Sequence, residues 1–357
     1  MAPVTNARLI FNEIPSSRVC SPPSESSGLP EPGKTTIYDT SETIDLENVP
    51  LHGGALIKTL VLSVDPYLRG RMRDPSIESY VPAFTKGKPL DNFGVGVVLR
   101  SEDPAIKPGD HLYGYFPFQQ YLLSQDLSIP SMTTKLPDDK LPWSVYLGVC
   151  GMPGQTAYYG WKEHAKPNPG DVVFVSTGAE RSCPHRVVIQ LAKAEGLKVI
   201  ASAGSDEKVA FMKELGADVA FNYKTEKTSD VLAREGPINI YWDNVGGETL
   251  EAAIAAAADS AQFIECGYIT SYNGEDYHIK NLQLIFAKQL TLSGFLINRL
   301  RHKYQDAFYR EMPARVARGE IKYTEDITRG LEKAGEAIVD VQTGKNKGKS
   351  VILVAEE

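Results

Sequence analysis

The spacing of apolar positions changes about 150 residues into the chain. Before that point short apolar runs are bounded by turn residues. Ala55–Val64 (ALIKTLVLSV), Gly94–Arg100 (GVGVVLR) and His111–Tyr115 each read as strands. Lys107-Pro108-Gly109-Asp110 marks a tight turn between two of them. From about Tyr146 buried-strand runs alternate with helical periods: Val172–Ser176 (VVFVS) is a strand, Val187–Glu195 a helix, and Ile238–Trp242 (INIYW) and Ala261–Cys266 are further strands. Such alternation predicts a doubly wound parallel sheet with helices on both faces. After about Gly319 short mixed elements return, ending in the strand-like Ser350–Val354. The pattern predicts an α/β chain in which a β-rich domain, 1–149 and 320–357, holds an inserted nucleotide-type domain, 150–319.

The most informative stretch is VIASAGSDEKVAFMKELGADVAFNY, Val199–Tyr223. It predicts a strand (Leu197–Ala201), a small-residue turn (Ser202–Ser205), a helix (Asp206–Leu215) and a second strand from Val219 to Asn222. In a dinucleotide-binding unit an acidic residue at this strand end holds the adenosine ribose 2′-hydroxyl. Here that place holds Ala203, Gly204 and Ser205, with Lys208 close behind. An acid would repel a 2′-phosphate, whereas a small polar turn with a lysine attracts one, which favours an NADP(H) pocket. The alternative is that Ser205 only caps a helix whose Lys208 is solvated.

Composition narrows the class. Apolar content of 42% and charged content of 23% are ordinary for a globular protein, and a net charge of −7 argues against nucleic-acid or anionic-membrane partners. No apolar run approaches the roughly 20 residues of a membrane span, and the opening residues lack the apolar core of a secretory signal. Cys20, Cys150, Cys183 and Cys266 lie far apart, as reduced thiols do and metal or disulfide frameworks do not. The expectation is a cytoplasmic enzyme with no metal. Ser16–Pro32 is Ser/Pro-rich and reads as a surface loop.

Eight segments, in order, carry a family resemblance: VDPYLRGRMR (Val64–Arg73), GVGVVLRSEDPAIKPGDHLYG (Gly94–Gly114), GMPGQTAYYG (Gly151–Gly160), SAGSDEKV (Ser202–Val209), FNYKT (Phe221–Thr225), DNVGGE (Asp243–Glu248), CGYITSYN (Cys266–Asn273) and NKGKSV (Asn346–Val351). With them the chain resembles the zinc-independent medium-chain dehydrogenases/reductases, in the alkenal or one double-bond reductase branch with its prostaglandin and leukotriene relatives. The resemblance implies a β-rich GroES-like catalytic domain plus a Rossmann-type NADP(H)-binding domain. It implies NADPH-dependent reduction of the C=C bond of enals and enones, with Tyr67 and Tyr272 at the substrate. It places the cofactor on Met152, Thr156, Lys208, Tyr223, Asn244, Cys266, Gly267, Tyr268, Ser271, Phe295, Leu296, Ile297 and Asn346. The branch lacks the Cys/His set and four-cysteine lobe of its zinc-dependent cousins, and neither is present here, so activation must come from hydrogen bonds. It also implies a homodimer, for which Gln289–Phe295 (QLTLSGF) is the candidate edge strand.

Each assignment has a structural counterpart. Tyr67 also reads as a core aromatic, Tyr272 as a loop cap, Met152 and Thr156 as part of a hinge turn, and Cys266 as a packing residue. Arg69 and Arg71 read as structural charges. One segment departs from the family: between Val172–Ser176 and Gln190, where relatives carry a glycine-rich phosphate turn, this chain has TGAERSCPHRVVIQ with Gly178 as its only glycine. Arg181, His185 or Arg186 then stand in for backbone donors, or the segment 180–186 blocks the cofactor and leaves a silent relative. Oxidation of a secondary allylic or hydroxy-fatty alcohol with NADP is the alternative within the enzyme class.

Overall fold

Two β-sheets of opposite character organise the chain. The computed structural model describes residues 2–15, 28–124, 134–136, 141–176, 183–271 and 277–357, with only the backbone described at 134, 135, 183 and 271. Clustering of contacts divides the chain into two compact units, Met1–Gly151 with Thr324–Glu357, and Met152–Tyr323.

The first unit opens with two small antiparallel pairs, β1 (Val4–Thr5) with β4 (Thr43–Ile44) and β2 (Arg8–Phe11) with β3 (Thr36–Asp39). Its main strands are β5 (Ala55–Ser63), β6 (Asp91–Ser101), β7 (His111–Pro117), β8 (Tyr121–Ser124) and β9 (Thr134–Lys135), with the short helix α1 (Leu68–Arg71) between β5 and β6. The chain returns at its end to add β16 (Glu325–Arg329), helix α9 (Ala334–Thr343) and β17 (Lys349–Leu353). The described sheet runs β16-β17-β5-β6-β7-β9, with β8 also on β5. β5 reads ALIKTLVLS because every residue but Lys58 is buried.

Glycine in β6 permits the close packing of its neighbours. A Cβ at Gly96 would lie 2.6 Å from Ile57 Cγ2 and 2.7 Å from the Lys58 carbonyl oxygen. One at Gly94 would lie 2.8 Å from Phe116 Cβ. These approaches let Phe116 join Leu62, Val64, Ile338 and Ile352 in the core beneath the sheet.

The second unit begins with α2 (Met152–His164) and continues β10 (Val172–Val175), α3 (Cys183–Ala194), β11 (Lys198–Ala203), α4 (Asp206–Glu214), β12 (Val219–Asn222), α5 (Thr228–Glu235), β13 (Ile238–Asp243), α6 (Gly247–Ala256), β14 (Ala257–Glu265), α7 (Gln283–Ala287), β15 (Thr291–Gly294) and α8 (Ile297–Ala317). Its sheet is wholly parallel, in the order β12-β11-β10-β13-β14-β15. Consecutive strands on both sides of β10 require crossover helices, which is why apolar runs and helical periods alternate in the sequence. An aromatic stack pins the sheet's centre: Phe174 lies parallel to Tyr241 at 5.0 Å, and Phe263 meets Tyr241 edge-on at 5.3 Å.

One sequence expectation changes here. The strand expected over Gln289–Phe295 covers only Thr291–Gly294, because Gln289 takes a positive φ of 54° and Leu290 donates back to Ile285 to close α7. Ile297 lies beyond that strand. It starts α8, a helix of 21 residues, after the extended Leu296.

Gly96→Ala places a methyl group against a backbone carbonyl that cannot rotate away. The expected result is a loss of about 1–3 kcal/mol of unfolding free energy, read by chemical denaturation. An unchanged midpoint would show that β5 and β6 have room that the packing denies.

Candidate functional site

In the second unit the carboxyl ends of parallel strands form the crevice where open α/β sheets take ligands. The first group of side chains surrounds the turn after β11. That strand ends at Ala203, and Gly204 and Ser205 follow, so no carboxylate stands at the strand end. Ser205 caps α4 by accepting from the Lys208 amide at 3.4 Å, which fixes Lys208 on the first turn. The Tyr223 hydroxyl rests over Gly204, since a Cβ there would lie 2.6 Å from it. The Lys208 backbone and the Tyr223 hydroxyl therefore border the same small-residue turn, although they are distant in sequence. Burial raises the Tyr223 phenol above its usual range, so the hydroxyl keeps its proton to donate.

The second group lies after β13 and β14, whose last residues, Asp243 and Glu265, are register partners. Asp243 is fully buried and accepts from the Ser176 hydroxyl at 3.1 Å, the Tyr241 hydroxyl at 2.7 Å and the Val245 and Gly246 amides at 2.7 and 2.9 Å. Asn244 reaches back to the Ser176 carbonyl at 2.8 Å. Cys266 and Gly267 both donate their amides to the Asp243 carbonyl, at 2.9 and 3.1 Å. The Tyr268 ring lies over Gly246, whose φ of 71° and lack of a side chain make room for it. Asn244, Cys266, Gly267 and Tyr268 thus form one laced pair of loops. The Cys266 side chain is partly exposed there.

Met152 and Thr156 are one helical turn apart on α2, both partly exposed, and the Thr156 hydroxyl donates to the Met152 carbonyl at 2.8 Å. Phe295 packs on the same helix, because a Cβ at Gly160 would lie 2.4 Å from its ring. Leu296 is 40% exposed beside it, and Ile297 opens α8. Of the departing segment, 177–182 and the Cys183 side chain lie outside the described residues, as do Tyr272 and the Ser271 side chain. His185 and Arg186 are buried in α3. Burial first, then Arg186 and Lys208, hold the His185 imidazole well below its usual range, hence neutral, and the Arg186 guanidinium lies 4.7 Å from the Phe211 ring centre.

Tyr67 and Asn346 belong to the first unit. Tyr67 follows β5, locked by Pro66, and its hydroxyl donates to Asn92 and lies 3.5 Å from the Tyr115 hydroxyl. Asn346 is buried, and its amide donates to the Gly348 carbonyl at 2.8 Å. Its Oδ1 has no donor among the described residues, a polar atom left for a ligand. Arg69 donates to the Gly28 carbonyl and Arg71 pairs with Asp91 at 2.7 Å, both structural roles. Sequence reasoning missed Asn92, Tyr115 and the Asp243–Glu265 pair. Only Glu265 left a trace, as a lone acid within the apolar run AQFIEC.

These groups fit a phosphorylated dinucleotide. The turn after β11 offers a cation and a phenol where a carboxylate would exclude a 2′-phosphate, and the loops after β13 and β14 present backbone at glycine. Among the described residues no group of three or more His, Cys, Asp or Glu is placed to hold a metal ion.

Comparison with known proteins shows the family. The family described as zinc-binding dehydrogenase matches residues 186–312, and the N-terminal domain of oxidoreductase matches residues 38–131. A 2-alkenal reductase (NADP(+)-dependent) of Nicotiana tabacum is 37% identical over 336 residues, which are 90% of this chain and 95% of that protein. A (+)-pulegone reductase of Mentha piperita is 37% identical over 315 residues, 86% of this chain and 89% of that one. The crystal structure of CurA in complex with NADPH from Vibrio vulnificus superposes with a TM-score of 0.81 at 27% identity, covering 98% of this chain and 100% of the other. A β-rich domain with an inserted dinucleotide-type domain defines a medium-chain oxidoreductase. The chain belongs to the zinc-independent medium-chain dehydrogenase/reductase family, in its alkenal and enone reductase branch.

Asp243 Oδ2 and Glu265 Oε1 are both buried without a donor, and one proton shared between the two carboxyls satisfies both. Burial, then the Asp243 charge, push Glu265 from 4.5 up to about 8. The folded protein therefore binds more protons than the unfolded chain between those values, and this contribution to stability is lost as pH rises through that window. Glu265→Gln supplies an uncharged donor instead. Thermal unfolding should show wild type losing several degrees relative to the variant between about pH 5 and about pH 8. Parallel curves would mean the two carboxyls do not share a proton.

Proposed function

We propose that this chain reduces the C=C bond of α,β-unsaturated aldehydes or ketones with NADPH. The observation that carries the reading is the turn Ala203-Gly204-Ser205, which has no carboxylate at the strand end, carries Lys208 on the helix turn that Ser205 caps, and has the Tyr223 hydroxyl over Gly204. The protein is an NADP(H)-dependent oxidoreductase by its family membership, and the tobacco relative is named for the same cofactor and reaction. Lys208 and Tyr223 would hold the adenosine 2′-phosphate. Asn244, the backbone at Cys266–Gly267 and Tyr268 would follow the dinucleotide, with Met152, Thr156 and Phe295–Ile297 toward the nicotinamide and Asn346 as the last contact.

NADPH, when bound, supplies the hydride that the β-carbon of the enal or enone accepts, and negative charge then develops on the carbonyl oxygen. The chain's part is to meet that charge with hydrogen bonds from tyrosine hydroxyls, the cluster at Tyr67 and the second family tyrosine, Tyr272. A proton from a tyrosine or from water completes the α-carbon. In this reading residues 1–149 and 320–357 bind substrate and 150–319 bind cofactor, in the cytoplasm.

The proposed assembly is a homodimer. β15 ends its sheet with one edge unpaired among the described strands, and near it Leu282, Phe286 and Leu292 are 53%, 80% and 37% exposed. A second copy pairing at this edge would cover them.

The test is titration of the purified protein with NADPH and with NADH, followed by nicotinamide fluorescence. NADPH should bind at micromolar concentration and NADH much more weakly. Lys208→Ala should weaken NADPH by on the order of tenfold to a hundredfold while leaving NADH almost unchanged. Equal binding of the two cofactors would remove the 2′-phosphate pocket. Failure to bind either would make the segment at 180–186 a block.

A further inference from the structure

A chain of buried polar groups in the first unit ends on Tyr67 and fixes where its proton points. Lys349 is 2% exposed, and its ammonium donates to the Val64 carbonyl at 2.6 Å and the Ser350 carbonyl at 3.0 Å and lies 3.1 Å from Asp65 Oδ1. Its three protons thus have three acceptors. The other carboxylate oxygen, Asp65 Oδ2, accepts from the Ser63 hydroxyl and from the Asn92 amide nitrogen at 3.0 Å. Asn92 gives its second amide proton to the Ser63 carbonyl at 2.8 Å.

A carboxylate and a carbonyl can only accept, so the Asn92 amide cannot be turned the other way. Its Oδ1 is therefore the atom that faces Tyr67, and the Tyr67 hydroxyl must donate to it. Asn92 has no exposed surface. Were Tyr67 to turn its proton outward, Oδ1 would be left buried and unpartnered, at the full desolvation penalty. A phenol has one proton, and here it points inward.

The next hydroxyl belongs to Tyr115 on β7. It lies 3.5 Å from that of Tyr67, and its ring is held against Phe93 at 4.5 Å. Both tyrosines are partly exposed. Burial is the main effect raising both phenols above their usual range, so each keeps its proton at neutral pH.

We infer that Tyr115 is a catalytic residue, the one whose O–H donates to the substrate's carbonyl oxygen as charge develops there, while Lys349, Asp65 and Asn92 are positioning residues that keep the Tyr67 proton turned inward. This assignment rests on the proposed enone reduction and states which hydroxyl at Tyr67 serves it. Neither tyrosine loses its proton in the step. Both act as neutral dipoles.

The experiment compares steady-state reduction of trans-2-hexenal by NADPH in wild type, Tyr115→Phe, Tyr67→Phe, Asn92→Ala and the double variant Asn92→Ala/Tyr115→Phe. Unchanged affinity for NADPH checks that each variant is folded. Tyr115→Phe should lower kcat on the order of a hundredfold, and Tyr67→Phe only severalfold. Removing Asn92 frees the Tyr67 proton to turn outward, so the double variant should recover much of the rate lost in Tyr115→Phe. A merely structural Asn92 would add its own loss instead. Wild-type kcat in Tyr115→Phe, a larger loss in Tyr67→Phe, or a double variant slower than Tyr115→Phe would each overturn the assignment while enone reduction stands. No consumption of the aldehyde by wild type would overturn the reaction itself, and this assignment with it.

Discussion

Asp243 is the group on which the geometry of the second unit depends. It ends the central part of the parallel sheet, and four donors converge on one of its oxygens, from the residue after β10, from its own strand and from the loop that leads into α6. Its carbonyl takes the two amides that follow β14. Three consecutive carboxyl ends of the sheet are thereby held in one arrangement before any ligand arrives. Polar groups buried at such a place are costly unless every one is satisfied, which makes the arrangement all-or-none.

The two units handle buried charge in opposite ways. Asp65 is matched by Lys349, and the pair is saturated with hydrogen bonds, so the cost of removing both from water is offset by mutual attraction and by donors on every side. Asp243 meets Glu265, which bears the same charge, and the pair is tolerable only while it retains a proton. The first solution orients groups by pairing opposite charges, whereas the second makes the sheet ends sensitive to pH.

Much of the second unit was legible in the sequence because its signals are local. VVFVS, INIYW and the strand–turn–helix around Ser205 carry their periods and caps within a dozen residues, and the structure keeps them within one or two residues at either end. Gln289–Phe295 misled because a positive φ at one residue cuts the strand, which no apolar pattern encodes. The polar chain at Tyr67 was illegible for a different reason. Lys349 and Val64 are 285 positions apart, and Asn92 and Tyr115 sit in strands whose residues read as ordinary sheet. A hydrogen-bonded network assembled by strand pairing has no spacing of its own. Lys208 and Tyr223 lie between these cases, since their residue types drew notice but the meeting of Tyr223 with Gly204 is a product of the fold.

That meeting constrains how this pocket can change. Preference for the unphosphorylated cofactor is ordinarily conferred by a carboxylate at the end of the second strand. Here the place is occupied by a glycine whose missing side chain is the floor on which the Tyr223 phenol rests. Any side chain installed at 204 would meet the Tyr223 phenol, which would have to shift to admit it. In the proposed pocket, cofactor choice would rest on steric fit as well as on charge, and a lineage drifting toward the other nicotinamide would have to move the side chain at 223 first. The intermediate would hold neither cofactor well, a barrier to evolutionary change set by one absent methyl group.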